Sequence, residues 1–152
     1  MTNEAMRCDV VIVGCGPAGI FAAMRLLERV RDVEIVMVDR GLPLQQRIEG
    51  GRRDKQNWLF GWGGAGAFSD GKLTLSTEVG GTLAELVGSD VLADLIESVD
   101  AAFVEHGAPK DVSGTACDEL EQFANRAARA GLKFVPMRIR HMGSDVCRSV
   151  LG

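Results

Sequence analysis

The first forty residues change from a strand-like to a helix-like pattern of hydrophobic positions and back again. The β-branched run Val10 to Val13 predicts a strand buried on both faces of a parallel sheet. Residues 18–30 carry apolar side chains near helical spacing, with charged residues towards the end, and predict an amphipathic helix. Residues 33–38 predict a second strand, which ends at Asp39. Residues 8–39 are therefore predicted to form a βαβ core with a right-handed crossover.

The next two segments lack a simple hydrophobic period. Residues 40–57 are polar and rich in arginine, and we interpret them as a loop with at most one helical turn. Residues 61–71 contain five glycines, too many for the interior of a helix or for an ordinary strand. We therefore expect another group to approach this backbone closely.

Residues 82–131 have the periodicity and the end signals of three helices. The signals are the capping pairs Thr82 with Glu85 and Thr115 with Asp118, the cap residue Ser89, and the terminating glycines Gly107 and Gly131. Residues 132–136 predict a short strand, and Ser144 begins a further helix with no stop signal before Gly152. We therefore expect the chain to be the N-terminal part of a longer protein.

Size, charge and cysteine spacing restrict the class of partner. The chain has 152 residues, 46% of them apolar, which suits one domain or part of one. A net charge of -4 provides no basic surface for nucleic acid, so a small-molecule partner is expected. No apolar run approaches the ~20 residues of a membrane span and no signal peptide is recognisable, so we expect a cytoplasmic protein without a transmembrane segment. The four cysteines lack zinc-site or CxxC spacing, and we expect reduced thiols and no metal.

The segment 14–19, Gly-Cys-Gly-Pro-Ala-Gly, fits the GxGxxG pattern between a strand and a helix. Gly14 would permit the tight turn, Gly16 would let a pyrophosphate approach the backbone, and Gly19 would let the helix pack closely on the strand. Pro17 suits the first turn of a helix, whose N-terminal N–H groups attract phosphate. The pattern in this context predicts a site for the ADP half of a dinucleotide.

Asp39 strengthens that prediction. It lies twenty positions after Gly19, at the end of the second predicted strand, where an acidic side chain binds a ribose 2'-OH. A 2'-phosphate would be repelled there, which disfavours NADPH as the ligand of this first site. The plainer interpretation is a glycine turn beside an ordinary surface aspartate.

Residues 9–40 and the glycine-rich segment 61–73 together resemble the N-terminal part of a family of bacterial FAD-dependent dehydrogenases of poorly defined substrate. Residues 140–145 resemble a related Arg-His-x-Gly-Thr-Asp stretch, with Ser144 in place of the commoner threonine. The resemblance implies an α/β, Rossmann-like FAD/NAD(P)-binding fold, incomplete at its C-terminus and carrying the helical segment 82–131 as an insertion. Family members are much longer, so residues 1–152 are expected to be the N-terminal part of a single FAD-binding domain, inactive alone.

The same resemblance implies where the cofactor would lie. The first glycines would contact the FAD pyrophosphate, Asp39 and its neighbour would lie beside the adenosine ribose, and the later glycines would approach the pyrophosphate and the flavin. The full set is Gly14, Gly16, Pro17, Ala18, Gly19, Asp39, Arg40, Gly63, Gly64, Ala65 and Gly66. Consecutive glycines can also present N–H groups to an anion, whereas the plainer interpretation is a flexible surface loop.

Several other residues carry weaker signals. Lys72 suits a place near the flavin N1 or a solvated position, and His141 suits an acid or base or an exposed histidine. Cys15 is expected to be a small filler. The basic residues Arg47, Arg52, Arg53 and Lys55 are typical of a solvated loop, and core packing is the plainer interpretation of Trp58, Phe60 and Trp62.

We therefore expect the FAD-binding N-terminal portion of a flavin-dependent oxidoreductase, with NAD(P)H as a candidate reductant of the longer protein and an unidentified small-molecule substrate. Catalytic residues are not assigned. Two alternatives remain open, namely an NAD-binding dehydrogenase domain and a non-catalytic nucleotide- or partner-binding fragment. The second glycine cluster favours FAD over NAD, because an NAD site has no need for it.

Overall fold

The computed structural model describes residues 6–50, 56–115 and 117–152, which fall into two compact units. The first unit comprises the described residues up to Ser69 together with residues 147–152. The second unit is Asp70–Val146. Both helices and strands are present, so the chain is a mixed α/β protein. The assignment of residues 1–152 to a single FAD-binding domain stays a prediction.

The first unit opens with strand β1 (Val10–Val13), helix α1 (Pro17–Arg29) and strand β2 (Ile35–Val38). The two strands pair in parallel, from Val10 opposite Ile35 to Val13 opposite Val38. A parallel pair needs a crossover connection, and α1 supplies it. The predicted order of strand, helix and strand is confirmed.

The prediction that β1 is buried on both faces is wrong. Val11 and Val13 are 56% and 84% exposed, whereas Val10 and Ile12, on the other face, are partly buried. A strand of a parallel sheet is buried twice only when other elements cover both sides. Helix α1 lies against the Ile12 side, and the opposite side of β1 stays open in the described part of the unit.

The interpretation of residues 40–57 as a loop with at most one helical turn is wrong where the structure describes helices, at residues 44–50 and 56–57. Helix α2 (Leu44–Gly50) makes two turns, and α3 (Gln56–Leu59) follows. The pattern was hidden because the residue that α2 buries is Arg47 rather than an apolar side chain. Arg52, Arg53 and Lys55 lie outside the described residues.

The glycine-rich segment forms one short 3-10 helix, Gly64–Phe68. Gly61 and Gly63, just before it, have φ angles of +97° and +80°, which L side chains rarely adopt. The sequence argument against a regular α-helix or strand here is therefore confirmed.

The second unit contains strand β3 (Lys72–Thr74) paired antiparallel with β4 (Ile139–His141). Its helices are α4 (Leu83–Val87), α5 (Ser89–Glu105), α6 (Asp118–Arg129) and the start of α7 (Ser144–Leu151), whose last residues belong to the first unit. The three helices predicted within residues 82–131 and the helix beginning at Ser144 are confirmed. The strand predicted at residues 132–136 is wrong, because pairing with β3 places the strand at 139–141 instead. No helix in the described ranges has the length and apolar character needed to cross a membrane.

Thr82 occupies the N-cap position of α4, as predicted, but its side chain makes no capping hydrogen bond. The caps predicted for the next two helices are wrong, because Gly88 rather than Ser89 is the N-cap residue of α5 and Cys117 rather than Thr115 is that of α6. The terminating glycines are confirmed. Gly107 and Gly131 lie one residue beyond the caps of α5 and α6, with φ of +103° and +70°. A positive φ after a helix needs a residue without Cβ, so this signal is stronger than a capping pair.

Candidate functional site

The site begins at the first glycine loop, residues 14–19, which connects β1 to α1. Gly14 has a φ of +104°, and its N–H donates to the carbonyl oxygen of Val38 at 2.7 Å. The chain therefore leaves the sheet through a turn that a residue with a side chain would strain.

Gly19 is required by packing. A Cβ at this position would overlap the carbonyl oxygen of Gly14 and lie 3.3 Å from Cγ2 of Ile12. The absence of a side chain lets α1 approach β1 at this distance. The tasks predicted for Gly14 and Gly19 both have a visible structural reason.

Gly16 is different. Its φ of -78° and ψ of 178° suit any residue, and a Cβ would meet only the Cα of Gly64, at an ordinary 3.9 Å among the described residues. The packing of the chain therefore leaves room for a side chain here. That room lies at the N-terminus of α1, where Pro17 is the first residue and no side chain caps the helix. The N–H groups of this turn and the helix dipole suit an anion.

Asp39 connects three separate segments. Its carboxylate accepts N–H groups from Cys15 at 2.9 Å, from Gly41 at 2.8 Å and from Gly61 at 2.6 Å. The bonds from Cys15 and Gly41 are the main reason that the pKa of this carboxyl lies below its usual value; Gly61 and the charge of Arg47 act in the same direction, and burial opposes them. Asp39 is therefore a structural anion at the entrance to the first glycine loop.

The second glycine loop, residues 61–66, packs directly on the first. The N–H of Gly63 donates to the carbonyl oxygen of Cys15 at 2.7 Å. A Cβ on Gly64 would lie 3.0 Å from the Cα of Gly16, and one on Gly66 would lie 2.9 Å from Cγ of Pro17. The close approach expected for this backbone is confirmed, and at least one of the approaching groups is the first glycine loop itself.

The prediction that Arg47 belongs to a solvated basic loop is wrong, and its role at this site was not predicted from the sequence. Arg47 is fully buried in α2, and its guanidinium donates to the carbonyl oxygens of Trp58 at 3.1 Å, Gly64 at 2.9 Å and Trp62. Burial lowers its pKa and the charge of Asp39 raises it. Nothing in the polar stretch distinguishes this arginine from those that follow it, so its role was not visible without the fold.

A cavity of about 410 Å³ opens beside the first glycine loop, within the size range of small-ligand sites. Its lining combines one carboxylate with apolar side chains and backbone. The lining residues are Cys15, Asp39, Gly41, Leu42, Pro43, Leu44, Trp62 and Gly152.

Ala18, Ala65 and Arg40 were also predicted to contact the cofactor. Ala18 and Ala65 are exposed. Arg40 is exposed too, and its guanidinium lies 3.1 Å from the centre of the Phe60 ring. Arg40 is not among the cavity-lining residues, although the neighbouring Asp39 is.

The aromatic residues before the second glycine loop pack within the first unit. Trp58 stacks on Phe68 with ring centres 6.5 Å apart. The indole N–H of Trp62 donates to the carbonyl oxygen of Leu151 at 2.6 Å. Both tryptophans therefore make packing contacts, and Trp62 also lines the cavity.

The weaker candidates were Cys15, Lys72 and His141. Cys15 is buried, and burial together with the charge of Asp39 raises the pKa of its thiol, as expected for a filler and unlike an activated nucleophile. Lys72 is half exposed and paired with Asp70 at 2.7 Å. His141 is exposed. Lys72 and His141 both belong to the second unit.

Comparison with known proteins identifies the class. Residues 11–59 match the model of an FAD-NAD(P)-binding family. An uncharacterized protein of Clostridium beijerinckii is 43% identical over 80 residues, which cover 47% of this chain and 15% of that relative. No solved structure matches the chain significantly. Residues 11–59 are therefore similar to an FAD/NAD(P)-binding region, which supports a flavin or nicotinamide nucleotide as the cofactor.

Proposed function

We propose that the chain is the FAD-binding portion of a flavin-dependent oxidoreductase and that its first unit is a Rossmann-like nucleotide-binding core. The observation that carries the proposal is the geometry of Gly16 at the start of α1, where a Cβ would make only an ordinary contact with the Cα of Gly64 and packing does not explain the glycine. Gly14 and Gly19 are explained by the fold, whereas Gly16 is explained by a ligand that must approach the backbone. We assign this place to the cofactor pyrophosphate, beside Pro17 and Ala18.

The cavity next to this place suits the adenosine half. The carboxylate of Asp39 holds three N–H groups, and a carboxylate has about four acceptor positions, so one remains for a ribose hydroxyl. Its negative charge disfavours a 2'-phosphate. Arg40 follows directly, and we place it at the outer edge of the ribose site.

The second glycine loop supports FAD rather than NAD. An ADP moiety needs only the first glycine loop, yet residues 61–66 are packed against that loop and continue the same backbone surface. We assign Gly63, Gly64, Ala65 and Gly66 to the pyrophosphate and the flavin. When bound, the flavin supplies hydride or electron transfer, and the protein orients the ring and shields it from water. The substrate is an unidentified small molecule, and NAD(P)H is a candidate reductant of the longer protein.

A titration of the purified chain with FAD, NAD and ADP, followed by calorimetry and by the visible flavin spectrum, tests this assignment. We expect FAD to bind with a perturbed flavin band, and ADP to compete for the same site with lower affinity. Tighter binding of NAD than of FAD would identify an NAD-binding dehydrogenase domain instead. A folded chain that binds none of the three would favour a non-catalytic role.

A further inference from the structure

Arg47 is the largest side chain that is fully closed to solvent among the described residues. Burying a guanidinium costs free energy unless its donors are satisfied. A hydrophobic residue would fill the inner side of α2 at lower cost. The hydrogen bonds that Arg47 makes therefore point to a task that an apolar side chain cannot perform.

Those hydrogen bonds reach the second glycine loop from within. The guanidinium donates to the carbonyl oxygens of Trp62 and Gly64, on either side of Gly63. In a trans peptide the carbonyl and the following N–H point in opposite directions. Holding the Trp62 carbonyl towards Arg47 therefore turns the Gly63 N–H away from it, and that N–H donates to Cys15 of the first glycine loop at 2.7 Å.

Asp39 complements this arrangement with the opposite charge. Arg47 takes carbonyl oxygens of the second glycine loop, whereas Asp39 takes N–H groups from Cys15 and Gly61, one in each loop. The two side chains also act on each other electrostatically. One buried cation and one anion thus hold the two glycine loops together through their backbones.

We infer that Arg47 is a positioning residue for the cofactor: it holds the second glycine loop on the first before the dinucleotide arrives, so that FAD meets a preformed surface. The inference rests on the proposed function. A planar guanidinium can reach the carbonyls of Trp58, Trp62 and Gly64 together, whereas a lysine ammonium keeps the charge without that fork of donors.

The test compares Arg47→Lys with wild type in the full chain and uses Arg140→Lys as a matched control. Arg140 is also buried, but its fork binds Asp100, at 2.5 and 2.7 Å, in the second unit. We expect both variants to lose stability. Only Arg47→Lys should weaken FAD binding, by about tenfold or more, which corresponds to the loss of roughly one or two charge-assisted hydrogen bonds.

The two tryptophans report on the structure around Arg47, which a measurement of global stability does not. Trp58 and Trp62 are the only tryptophans in the chain, and the carbonyl oxygens of both accept hydrogen bonds from Arg47. We expect the near-ultraviolet circular dichroism of the cofactor-free protein to change in Arg47→Lys at a temperature where the far-ultraviolet spectrum does not. The Arg140→Lys spectrum should match wild type in both regions.

Hydrogen exchange of the wild-type protein tests the inference even if Arg47→Lys does not fold. Without FAD, the amides of Gly61 and Gly63 should be protected from hydrogen exchange, because Asp39 and Cys15 already accept them. Rapid exchange of both amides in the cofactor-free chain would contradict a preformed loop. Equal FAD affinity in wild type and Arg47→Lys would overturn this inference alone, whereas a wild type that binds no FAD would overturn the proposed function and this inference with it.

Discussion

At the scale of single residues, Asp39 shows how one side chain serves both the fold and the site. Three backbone N–H groups from distant positions end on its carboxylate. Sequence position indicated an acidic residue beside a ribose, but its protein partners could not be inferred, because Cys15, Gly41 and Gly61 meet only in the folded chain. The carboxylate is therefore a structural element of the site before any cofactor binds.

Asp39→Asn should lower the free energy of unfolding by about 1–3 kcal/mol at neutral pH, since the amide keeps only one of the two acceptor oxygens. The folded protein holds the pKa of Asp39 below its ordinary value, so this contribution is complete above the unfolded pKa of about 3.9 and is lost as pH falls through the lower folded value. Urea denaturation of both proteins at pH 7 and pH 3 measures the difference.

The difference in the free energy of unfolding between wild type and Asp39→Asn should therefore be smaller at pH 3 than at pH 7. Asp70→Asn is the control, because Asp70 also has a pKa lowered by its hydrogen bond from Lys72 but is exposed to solvent. We expect little loss from it at neutral pH. If this difference for Asp39→Asn is equal at the two pH values or larger at pH 3, the role of the Asp39 carboxylate as an acceptor of backbone N–H groups is contradicted.

At the scale of elements, the contact of α1 with β1 depends on one missing side chain. Gly19→Ala should destabilise the first unit by about 1–3 kcal/mol, although alanine favours a helix by roughly 1 kcal/mol over glycine, because the added Cβ overlaps the carbonyl oxygen of Gly14. Gly16→Ala adds the same methyl group where there is room, and its loss should be about 1 kcal/mol or less, from the cap preference alone. Chemical denaturation that ranks Gly19→Ala as the more stable of the two would contradict this packing.

Helices and strands could be predicted from the sequence where hydrophobic periodicity and local backbone geometry determine them. Strand β1, helix α1 and strand β2 follow from the pattern, and the turn between them follows from the glycines. Helix α2 was missed because its buried residue is a cation. Strand β4 was displaced from the predicted segment because an antiparallel partner selects the register, and a partner more than sixty residues away leaves no local signal.

At the scale of the whole molecule, the glycine loops, Asp39 and Arg40 all fall in the first unit, where two glycine segments far apart in sequence pack together, whereas the weaker candidate Lys72 lies in the second unit. The GxGxxG segment and the second cluster were each visible as sequence patterns, because glycine marks a close approach whatever approaches. The contact between the two segments and the supporting role of Arg47 were not predictable. Both depend on hydrogen bonds to backbone carbonyl oxygens, and every residue type has such an oxygen. The sequence thus predicted the two glycine loops of the proposed site, and the fold shows how they are held together.

The most direct measurement is the FAD affinity of Gly16→Val beside wild type, with far-ultraviolet circular dichroism to confirm the fold. A Cβ at this position meets, apart from its chain neighbours, only the Cα of Gly64 at 3.9 Å among the described residues, and the spectrum shows whether the two γ-carbons of valine also leave the fold intact. We predict that the variant folds and binds FAD at least about tenfold more weakly, a loss of roughly 1.4 kcal/mol or more. A folded Gly16→Val protein that binds FAD as tightly as wild type would contradict the placement of the pyrophosphate at the first glycine loop.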